Sequence, residues 1–254
     1  MRNGLFKVAG AVLALGLALG VAAPPAHAAV GVKPQDGVTH DQPFAPGTGE
    51  SQKFRIPGMV TLNDGTIVAA TDARYNQSVD GGGLDTIVSR SKDNGKTWNY
   101  TYANYLGDNG NVWNPTSTAF IDPAISTDGE TVYLVADLFP AGIALNGTNW
   151  GPQVGAGFDS KGNLRLRDAK LVPFGMDKYS EKAAQAEYAY YLKMDDKTIH
   201  KASDDSLVEG YTVDAMFNIT TTTTGATTNL FCSDSPFQVF PTDYLYLTKS
   251  TDAG

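Results

Sequence analysis

A short motif occurs twice in the sequence, and it constrains the fold more than any other feature. Residues 91–98 read S-x-D-x-G-x-T-W, and residues 250–254 read as the same motif up to its glycine. Each copy follows an apolar stretch. Aspartate and glycine favour the tight turn into a next strand, and tryptophan can pack over that turn. A strand–turn–strand unit that repeats along a chain is typical of a β-propeller.

The rest of the chain reads as short strands separated by turn residues. Two hairpins are predicted at residues 59–70 and 120–137, with Asn-Asp-Gly and Thr-Asp-Gly at their turns. A further strand is predicted at residues 84–90. The best candidate helix, residues 179–191, is short, and its Tyr-Ala-Tyr-Tyr end could equally be a strand. Such spacing allows a sandwich, a barrel or a propeller, and the repeated motif favours the propeller.

The first 28 residues have the pattern of an export signal. Two basic residues precede an uncharged apolar run at 8–23, two prolines interrupt it, and Ala-His-Ala at 26–28 matches a signal peptidase site. The run is shorter than the roughly 20 residues that a membrane-spanning helix needs, and no second run of that length follows. We therefore predict cleavage near Ala28, a secreted or cell-surface location, and no transmembrane segment.

Composition and charge exclude several classes of function. The net charge is -8, and nucleic acid binding requires clustered Lys and Arg, so no nucleic acid partner is expected. Because a negative net charge does not attract an anion, an anionic ligand would have to be held by a few arginines placed at its binding site. The single cysteine, Cys232, excludes an intrachain disulfide and is expected to be a small buried apolar residue. His40 and His200 are isolated, so neither a metal nor another cofactor is expected.

Three motifs and one aspartate follow each other early in the chain. Phe-Arg-Ile-Pro at 54–57 precedes Asp-Ala-Arg-Tyr at 72–75, Asp80 follows Arg55 by 25 positions, and the motif at 91–98 comes next. This order and spacing resemble the opening of bacterial sialidases and trypanosomal trans-sialidases, in which the last motif is called an aspartate box. The resemblance covers about residues 54–254 and implies an all-β fold, a partial six-bladed β-propeller of the sialidase type with a β-rich insertion.

The resemblance, together with the change in composition along the chain, predicts a division into five segments. They are a signal peptide at 1–28, an irregular leader at 29–53, the first blades of a sialidase propeller at 54–175, an insertion between blades at 176–231, and the start of the next blade at 232–254, which is truncated in its aspartate box.

The candidate site residues come from the resemblance and from the chemistry of sialic acid. That sugar carries a carboxylate on its anomeric carbon, which a guanidinium can bind bidentately. The resemblance implies this role for Arg55, which could otherwise be a surface arginine beside a strand. Asp80 matches the general acid/base of the family and lies in Asp-Gly-Gly-Gly, where small residues let a glycan approach. Without the family, Asp80 would read as an ordinary turn aspartate.

Two further residues match sugar-binding positions of the family. Arg74 matches a residue that contacts the 4-hydroxyl of the sugar, and Asp122 matches a carboxylate beside the same hydroxyl and the N-acyl pocket. Both could instead form a structural ion pair. Asp85 is assigned to the start of a strand, and Asp72 and Asp137 to strand ends with structural roles.

The resemblance implies a secreted exo-α-sialidase (neuraminidase), a glycosidase that hydrolyses terminal sialic acids with retention. Its expected partners are sialylated glycoproteins, glycolipids and sialyl-oligosaccharides. In the family, the tyrosine nucleophile, its glutamate and the remaining clamp arginines follow the second aspartate box. We therefore assign no nucleophile and expect the fragment itself to be inactive.

Two other functions stay open at this point, a non-catalytic sialic acid-binding propeller and a trans-sialidase. The pairing of Arg55 with Asp80 favours an enzyme, because a lectin needs the clamp but not the acid. Hydrolysis is favoured over transfer because the signal and the insertion resemble those of larger bacterial enzymes.

Overall fold

The regular structure in the described part of the chain consists of β-strands and one short 3-10 helix, Thr48–Glu50. A computed structural model describes residues 41–76, 80, 83–106, 118–141, 157–170, 188–240 and 242–251, and the predicted signal peptide lies outside them. No helix in these ranges is long and apolar enough to cross a membrane. The strands in chain order are β1 (Phe54–Thr61), β2 (Ile67–Ala73), β3 (Asp85–Ser91), β4 (Asn99–Asn104), β5 (Ala119–Thr127), β6 (Val132–Phe139), β7 (Leu164–Asp168), β8 (Tyr190–Leu192), β9 (Ile199–Lys201), β10 (Tyr211–Val213), β11 (Asn218–Thr221), β12 (Thr227–Asn229), β13 (Phe237–Val239) and β14 (Tyr244–Ser250).

Sheet I contains β1 to β4 in sequential antiparallel order. Thr61 pairs with Ile67 around the Asn-Asp-Gly turn, in which Gly65 has a φ of 83°. A positive φ suits glycine because it has no Cβ. The Oδ1 of Asp64 accepts the amide of Thr66 at 2.9 Å and closes the turn. The hairpin predicted at residues 59–70 and the strand predicted at residues 84–90 are therefore confirmed.

The turn between β3 and β4 is held by one aspartate. The Oδ1 of Asp93 accepts the amides of Lys96 at 3.1 Å and Thr97 at 2.9 Å. Hydrogen bonds from Thr97 and its neighbours lower the pKa of Asp93 to about 2. The indole Nε1 of Trp98 donates to the carbonyl of Gly95 at 3.1 Å, and the tryptophan is 5% exposed. The tryptophan thus covers the turn, as the sequence predicts.

Sheet II contains β5, β6 and β14, in the order β14-β6-β5. The hairpin predicted at residues 120–137 is confirmed by β5 and β6. The last strand pairs with β6 from Tyr244 opposite Leu138 to Ser250 opposite Val132. The segment at 232–254, which the sequence predicts as the start of the next blade, contributes to two sheets: β13 joins β7, and β14 extends sheet II. The reason is aromatic packing between distant segments, since Tyr246 lies edge-on to Phe120 with ring centroids 5.3 Å apart.

The segment between β6 and β14 builds two further sheets. Sheet III has the order β13-β7-β8-β9, and sheet IV has the order β10-β11-β12. The end of the candidate helix is strand β8, and residues 171–187 lie outside the described part. The predicted insertion at 176–231 thus contributes strands to both sheets, while its partner strands β7 and β13 lie outside that range. The other predicted boundaries stay predictions.

Buried apolar side chains join the sheets. One cluster links sheet I to sheet II through Ala70, Val88, Ala103 and Leu134. A larger cluster joins sheet II to sheets III and IV; its members include Phe120, Leu138, Leu164, Leu166, Leu192, Ile219, Leu230, Phe231, Cys232 and Phe237. Cys232 is 4% exposed, which confirms its expected apolar role. Sheets I and II therefore pack firmly side by side, which places their first strands next to each other.

Candidate active site

The first strands of sheets I and II carry matching bulges. The register of β1 shifts after Arg55, and that of β5 shifts after Ile121. The residues at the bulges, Ile56 and Asp122, have φ values of 57° and 55°, and each precedes a proline. Proline has no amide to donate to the ladder, and a bulge re-aims the neighbouring side chains. The Phe-x-x-Pro sequence therefore explains why Arg55 leaves the regular strand direction.

Arg55, Arg74 and Asp80 form one ionic cluster. The Oδ1 of Asp80 accepts from the Nη1 of Arg55 at 3.2 Å and from the Nη1 of Arg74 at 2.5 Å. The Arg55 side chain is 50% exposed and that of Asp80 is 34% exposed, whereas Arg74 is 1% exposed. The cluster thus has an open side, formed by Arg55 and Asp80, and a buried side, formed by Arg74.

Asp72 continues this cluster inward. Its Oδ2 accepts from the Nε of Arg74 at 3.0 Å and from the Nη2 at 2.7 Å, and its side chain is fully buried. Its Oδ1 accepts the backbone amide of Asp122, on the neighbouring sheet, at 2.9 Å. Asp72 lies directly opposite Arg55 in the β1–β2 ladder. One carboxylate therefore connects the buried arginine to the bulge of β5.

Burial and ion pairing act in opposite directions in this cluster. Burial raises the pKa of Asp72 to about 6, although the hydrogen bonds and charge of Arg74 and the amide of Asp122 oppose that shift. Burial alone would lower the pKa of Arg74, but the hydrogen bonds to Asp80 and Asp72 outweigh it and raise that pKa. Arg74 therefore stays cationic, and Asp72 is ionised at neutral pH.

A buried tyrosine network supports the loop that carries Arg74 and Asp80. The hydroxyl of Tyr75 donates to the carboxylate of Asp85, whose other oxygen accepts the amide of Leu106 at 2.9 Å. Burial and the charge of Asp85 raise the pKa of Tyr75. Asp85 begins β3 and is 0% exposed, in agreement with its assignment to a strand start. Asp85 is shielded from solvent and stabilises the loop after β2 through its bonds to Tyr75 and Leu106.

A second group of carboxylates lies on sheet II. Asp122 is exposed, and Asp137 occupies in β6 the position that Asp72 occupies in β2, opposite the residue before the bulge. Burial and the nearby charges of Asp243 and Asp122 raise the pKa of Asp137. Within the described ranges, no group of three or more His, Cys, Asp or Glu side chains is arranged to hold a metal ion.

Comparison with known proteins shows which enzymes this chain resembles. No protein-family model matches the chain. It is 28% identical to the anhydrosialidase of Macrobdella decora over 81% of this chain and 30% of the relative. It is 29% identical to sialidase B of Streptococcus pneumoniae over 81% of this chain and 33% of the relative. The crystal structure of the intramolecular trans-sialidase from Ruminococcus gnavus matches 81% of this chain and 47% of its own length, with 29% identity and a TM-score of 0.65. Over 81% of its length the chain is therefore similar in sequence and fold to sialidases and a trans-sialidase.

The match to NanB sialidase from Streptococcus pneumoniae has a TM-score of 0.64 at 23% identity, covers 80% of this chain and 35% of NanB, and shows the common fold. The chain spans about a third of the length of the curated relatives, as the shares of 30% and 33% indicate.

The four site residues predicted from the sequence, Arg55, Arg74, Asp80 and Asp122, fall into two arrangements in this structure. Arg55, Arg74 and Asp80 are in direct contact. Asp122 is connected to them through its backbone amide and Asp72. The carboxylate partners of Arg74 in the described residues are Asp72 and Asp80, and an ion pair of Arg74 with Asp122 is not among its contacts.

Asp72 is the residue whose place in the site was missed from the sequence. Its assignment to a structural strand end rested on position alone. The available signal was the alternation Asp-x-Arg, because residues two apart in a strand project from the same face. That pattern places the carboxylate of Asp72 beside Arg74, and the structure adds the contact with Asp122.

Proposed function

We propose that this chain is part of a secreted exo-α-sialidase, which releases terminal sialic acid from glycoproteins, glycolipids and sialyl-oligosaccharides. The observation that carries the proposal is the contact of Arg55 and Arg74 with one oxygen of a partly exposed Asp80. An exposed guanidinium beside a carboxyl group gives two of the functions that cleavage of a sialoside needs. One group binds the carboxylate of the sugar, and the other transfers a proton.

Arg55 is proposed as the carboxylate clamp. Half of its side chain is exposed, and its Nη1 contact with Asp80 is a single hydrogen bond of 3.2 Å. A bidentate pair with the carboxylate of a sugar would be stronger than this contact, because two parallel charge-assisted bonds form. When substrate binds, its carboxylate would therefore replace Asp80 as the hydrogen-bond partner of Arg55.

Asp80 is proposed as the general acid/base. When the glycosidic C–O bond breaks, Asp80 would donate its proton to the departing oxygen, and later accept a proton from the attacking water or hydroxyl. Once the carboxylate of the sugar is bound to Arg55, Asp80 loses one cationic partner and faces the bound glycan. Its proton can then be delivered to the leaving group without crossing bulk water.

Arg74 and Asp122 are proposed to contact the 4-hydroxyl and N-acyl side of the sugar. Asp122 is exposed, so its carboxylate can accept a hydrogen bond directly from the hydroxyl. Arg74 is buried behind Asp80, so its contact with the sugar depends on the displacement of Asp80 that substrate binding would cause. No nucleophile is assigned; the tyrosine and glutamate that serve this role in the family match no residue of this chain.

The proposed architecture is a partial six-bladed propeller. Sheet I, with four antiparallel strands, corresponds to a complete blade, and sheet II contains three strands of the next. Residues 140–243 would then be an insertion between the second and third strands of the second blade. This proposal is supported by the pairing of β14 with β6 and by the turn motif that follows both β3 and β14. The export signal predicted from the sequence at residues 1–28 supports secretion.

Intramolecular transfer is the second candidate function. The comparisons that extend over 81% of the chain include proteins named anhydrosialidase and intramolecular trans-sialidase as well as sialidase B. Three relatives named only sialidase match 21% to 35% of the chain. In an intramolecular transfer, a hydroxyl of the same sugar attacks the anomeric carbon instead of water, so the product contains one water less than free sialic acid.

The test is product analysis with the complete reading frame that contains this chain. The protein is incubated with sialyllactose, and the released sugar is examined by mass spectrometry and NMR. Free sialic acid supports hydrolysis, and a product lighter by one water supports intramolecular transfer. Unchanged sialyllactose with tight binding of a sialic acid glycal would support a binding module and reject the enzyme.

A further inference from the structure

Asp72 makes contacts that only a carboxylate can make. Three N–H groups point at its two oxygens: Nε and Nη2 of Arg74 reach Oδ2, and the amide of Asp122 reaches Oδ1. An asparagine of the same shape has one acceptor oxygen and one NH₂ group. Whichever way that amide turned, one of the two contacts would be replaced by a donor facing a donor.

The two residues that donate hydrogen bonds to Asp72 come from different parts of the proposed site. Arg74 follows β2 and reaches Asp80, while Asp122 lies at the bulge of β5 on the neighbouring sheet. The adjacent Thr71 donates its hydroxyl to the carbonyl of Arg55 at 2.5 Å and thereby fixes the bulge of β1. Residues 71 and 72 therefore contact the backbone or side chain of every candidate substrate-binding residue.

The matching position on sheet II shows that the fold alone does not create this arrangement. Asp137 faces Ile121 across the ladder, as Asp72 faces Arg55, but its electrostatic neighbours are Asp122 and Asp243. The same residue type at the same strand position thus lies among other acids. Asp72 alone of the two has an arginine two positions later: the sequence is Asp-Ala-Arg at the end of β2 and Asp-Leu-Phe at the end of β6.

We propose that Asp72 is a positioning residue that holds the two halves of the sugar-binding site in register. Its Oδ2 sets the orientation of Arg74 toward Asp80, and its Oδ1 sets the position of the Asp122 bulge. This inference rests on the proposed function, and it concerns the alignment of the site and not a contact with substrate. Without Asp72, the Nε and Nη2 groups of Arg74 would lose this acceptor, and the amide of Asp122 would lose its bond to sheet I.

The first test measures catalysis in the complete reading frame. Asp72→Asn is expected to lower kcat/KM for sialyllactose by about tenfold or more, because site geometry is lost. In an Arg74→Ala background, the same substitution should lower it by no more than about threefold, since residues that act through each other are not additive. Equal losses in both backgrounds, or no loss in an active wild type, would reject the proposal. An inactive wild type would reject the proposed function.

The second test does not depend on activity. Hydrogen exchange is measured for the amide of Asp122, which is expected to exchange about a hundredfold more slowly than an unstructured amide because Asp72 holds it. Asp72→Ala should remove most of this protection, and Asp137→Asn, the matched control on sheet II, should leave it unchanged. If Asp72→Ala does not fold, the wild-type value still decides: an unprotected Asp122 amide would contradict the inference.

Discussion

The Nη1 of Arg55 lies 3.2 Å from the Oδ1 of Asp80, so the candidate clamp and the candidate acid are bonded to each other. They are 25 positions apart in the sequence and meet because the bulge of β1 turns Arg55 toward the loop after β2. A substrate carboxylate and Asp80 would compete for the same guanidinium. Binding of an acidic sugar would therefore change the surroundings of the acid that must act on it.

Replacement of Arg55 tests the clamp. Arg55→Lys keeps the charge but loses the planar fork, so kcat/KM for sialyllactose should fall by about 100-fold, and a sialic acid glycal should bind more weakly. The measurements are steady-state kinetics and calorimetry. Lys249→Ala removes an exposed cation from β14 and should change neither value. Wild-type behaviour of both Arg55→Lys and Arg55→Ala would exclude the clamp role.

The ionisation of Asp72 should affect stability in a defined pH window. Its ordinary pKa of 3.8 is raised to about 6 in the folded chain. Between these values the unfolded chain loses its proton first, so ionisation favours unfolding as the pH rises, by at most about 3 kcal/mol. Thermal unfolding from pH 4 to pH 7 checks this. The Tm of Asp72→Asn relative to wild type should increase over this range, and a constant difference would contradict the expected shift.

Asp85 should contribute to stability but not to chemistry. Asp85→Ala leaves the hydroxyl of Tyr75 and the amide of Leu106 without their acceptor, with an expected loss of about 3 kcal/mol of stability. Chemical denaturation measures this loss. Asp128→Ala, which removes an exposed turn aspartate from the β5–β6 hairpin, is the control and should cost no more than about 1 kcal/mol. Equal losses would mean that the Tyr75 network is not a specific anchor.

Exposed leucines on the edge strand β14 should make the isolated 254-residue chain associate. Leu245 and Leu247 are 77% and 62% exposed. A strand edge with apolar side chains can pair with other chains. Sedimentation velocity should show association that Leu245→Lys with Leu247→Lys reduces. The control Leu207→Lys changes an exposed leucine outside the named strands and should have little effect.

Local sequence patterns were sufficient to predict the hairpins of sheets I and II. Asn-Asp-Gly and Thr-Asp-Gly define their turns, and the alternation of apolar residues defines their strands. The sheet that β14 joins was not predictable in this way, because the pairing of Ser250 with Val132 depends on packing between distant segments. The same limit applies to Asp72, whose bond to the Asp122 amide crosses from one sheet to the next.

The candidate site was only partly predictable for a related reason. Motif spacing was sufficient to select Arg55, Arg74 and Asp80, which the structure brings into contact. It could not predict that Arg74 is buried, because burial depends on how Asp80 and the neighbouring sheet cover it. Nor could it predict that Asp122 joins the cluster through its backbone and not through its carboxylate.

The most direct test of the account compares two substrates in the complete reading frame. A natural sialyl-galactose linkage releases an alkoxide that needs a proton, whereas an aryl sialoside releases a stabilised phenolate. Acid catalysis typically contributes roughly 100- to 10,000-fold. We therefore expect Asp80→Ala to lower kcat/KM far more on sialyllactose than on the aryl sialoside, while Asp85→Ala shows no such split. Equal losses on both substrates for Asp80→Ala would contradict the assignment of Asp80 as the general acid.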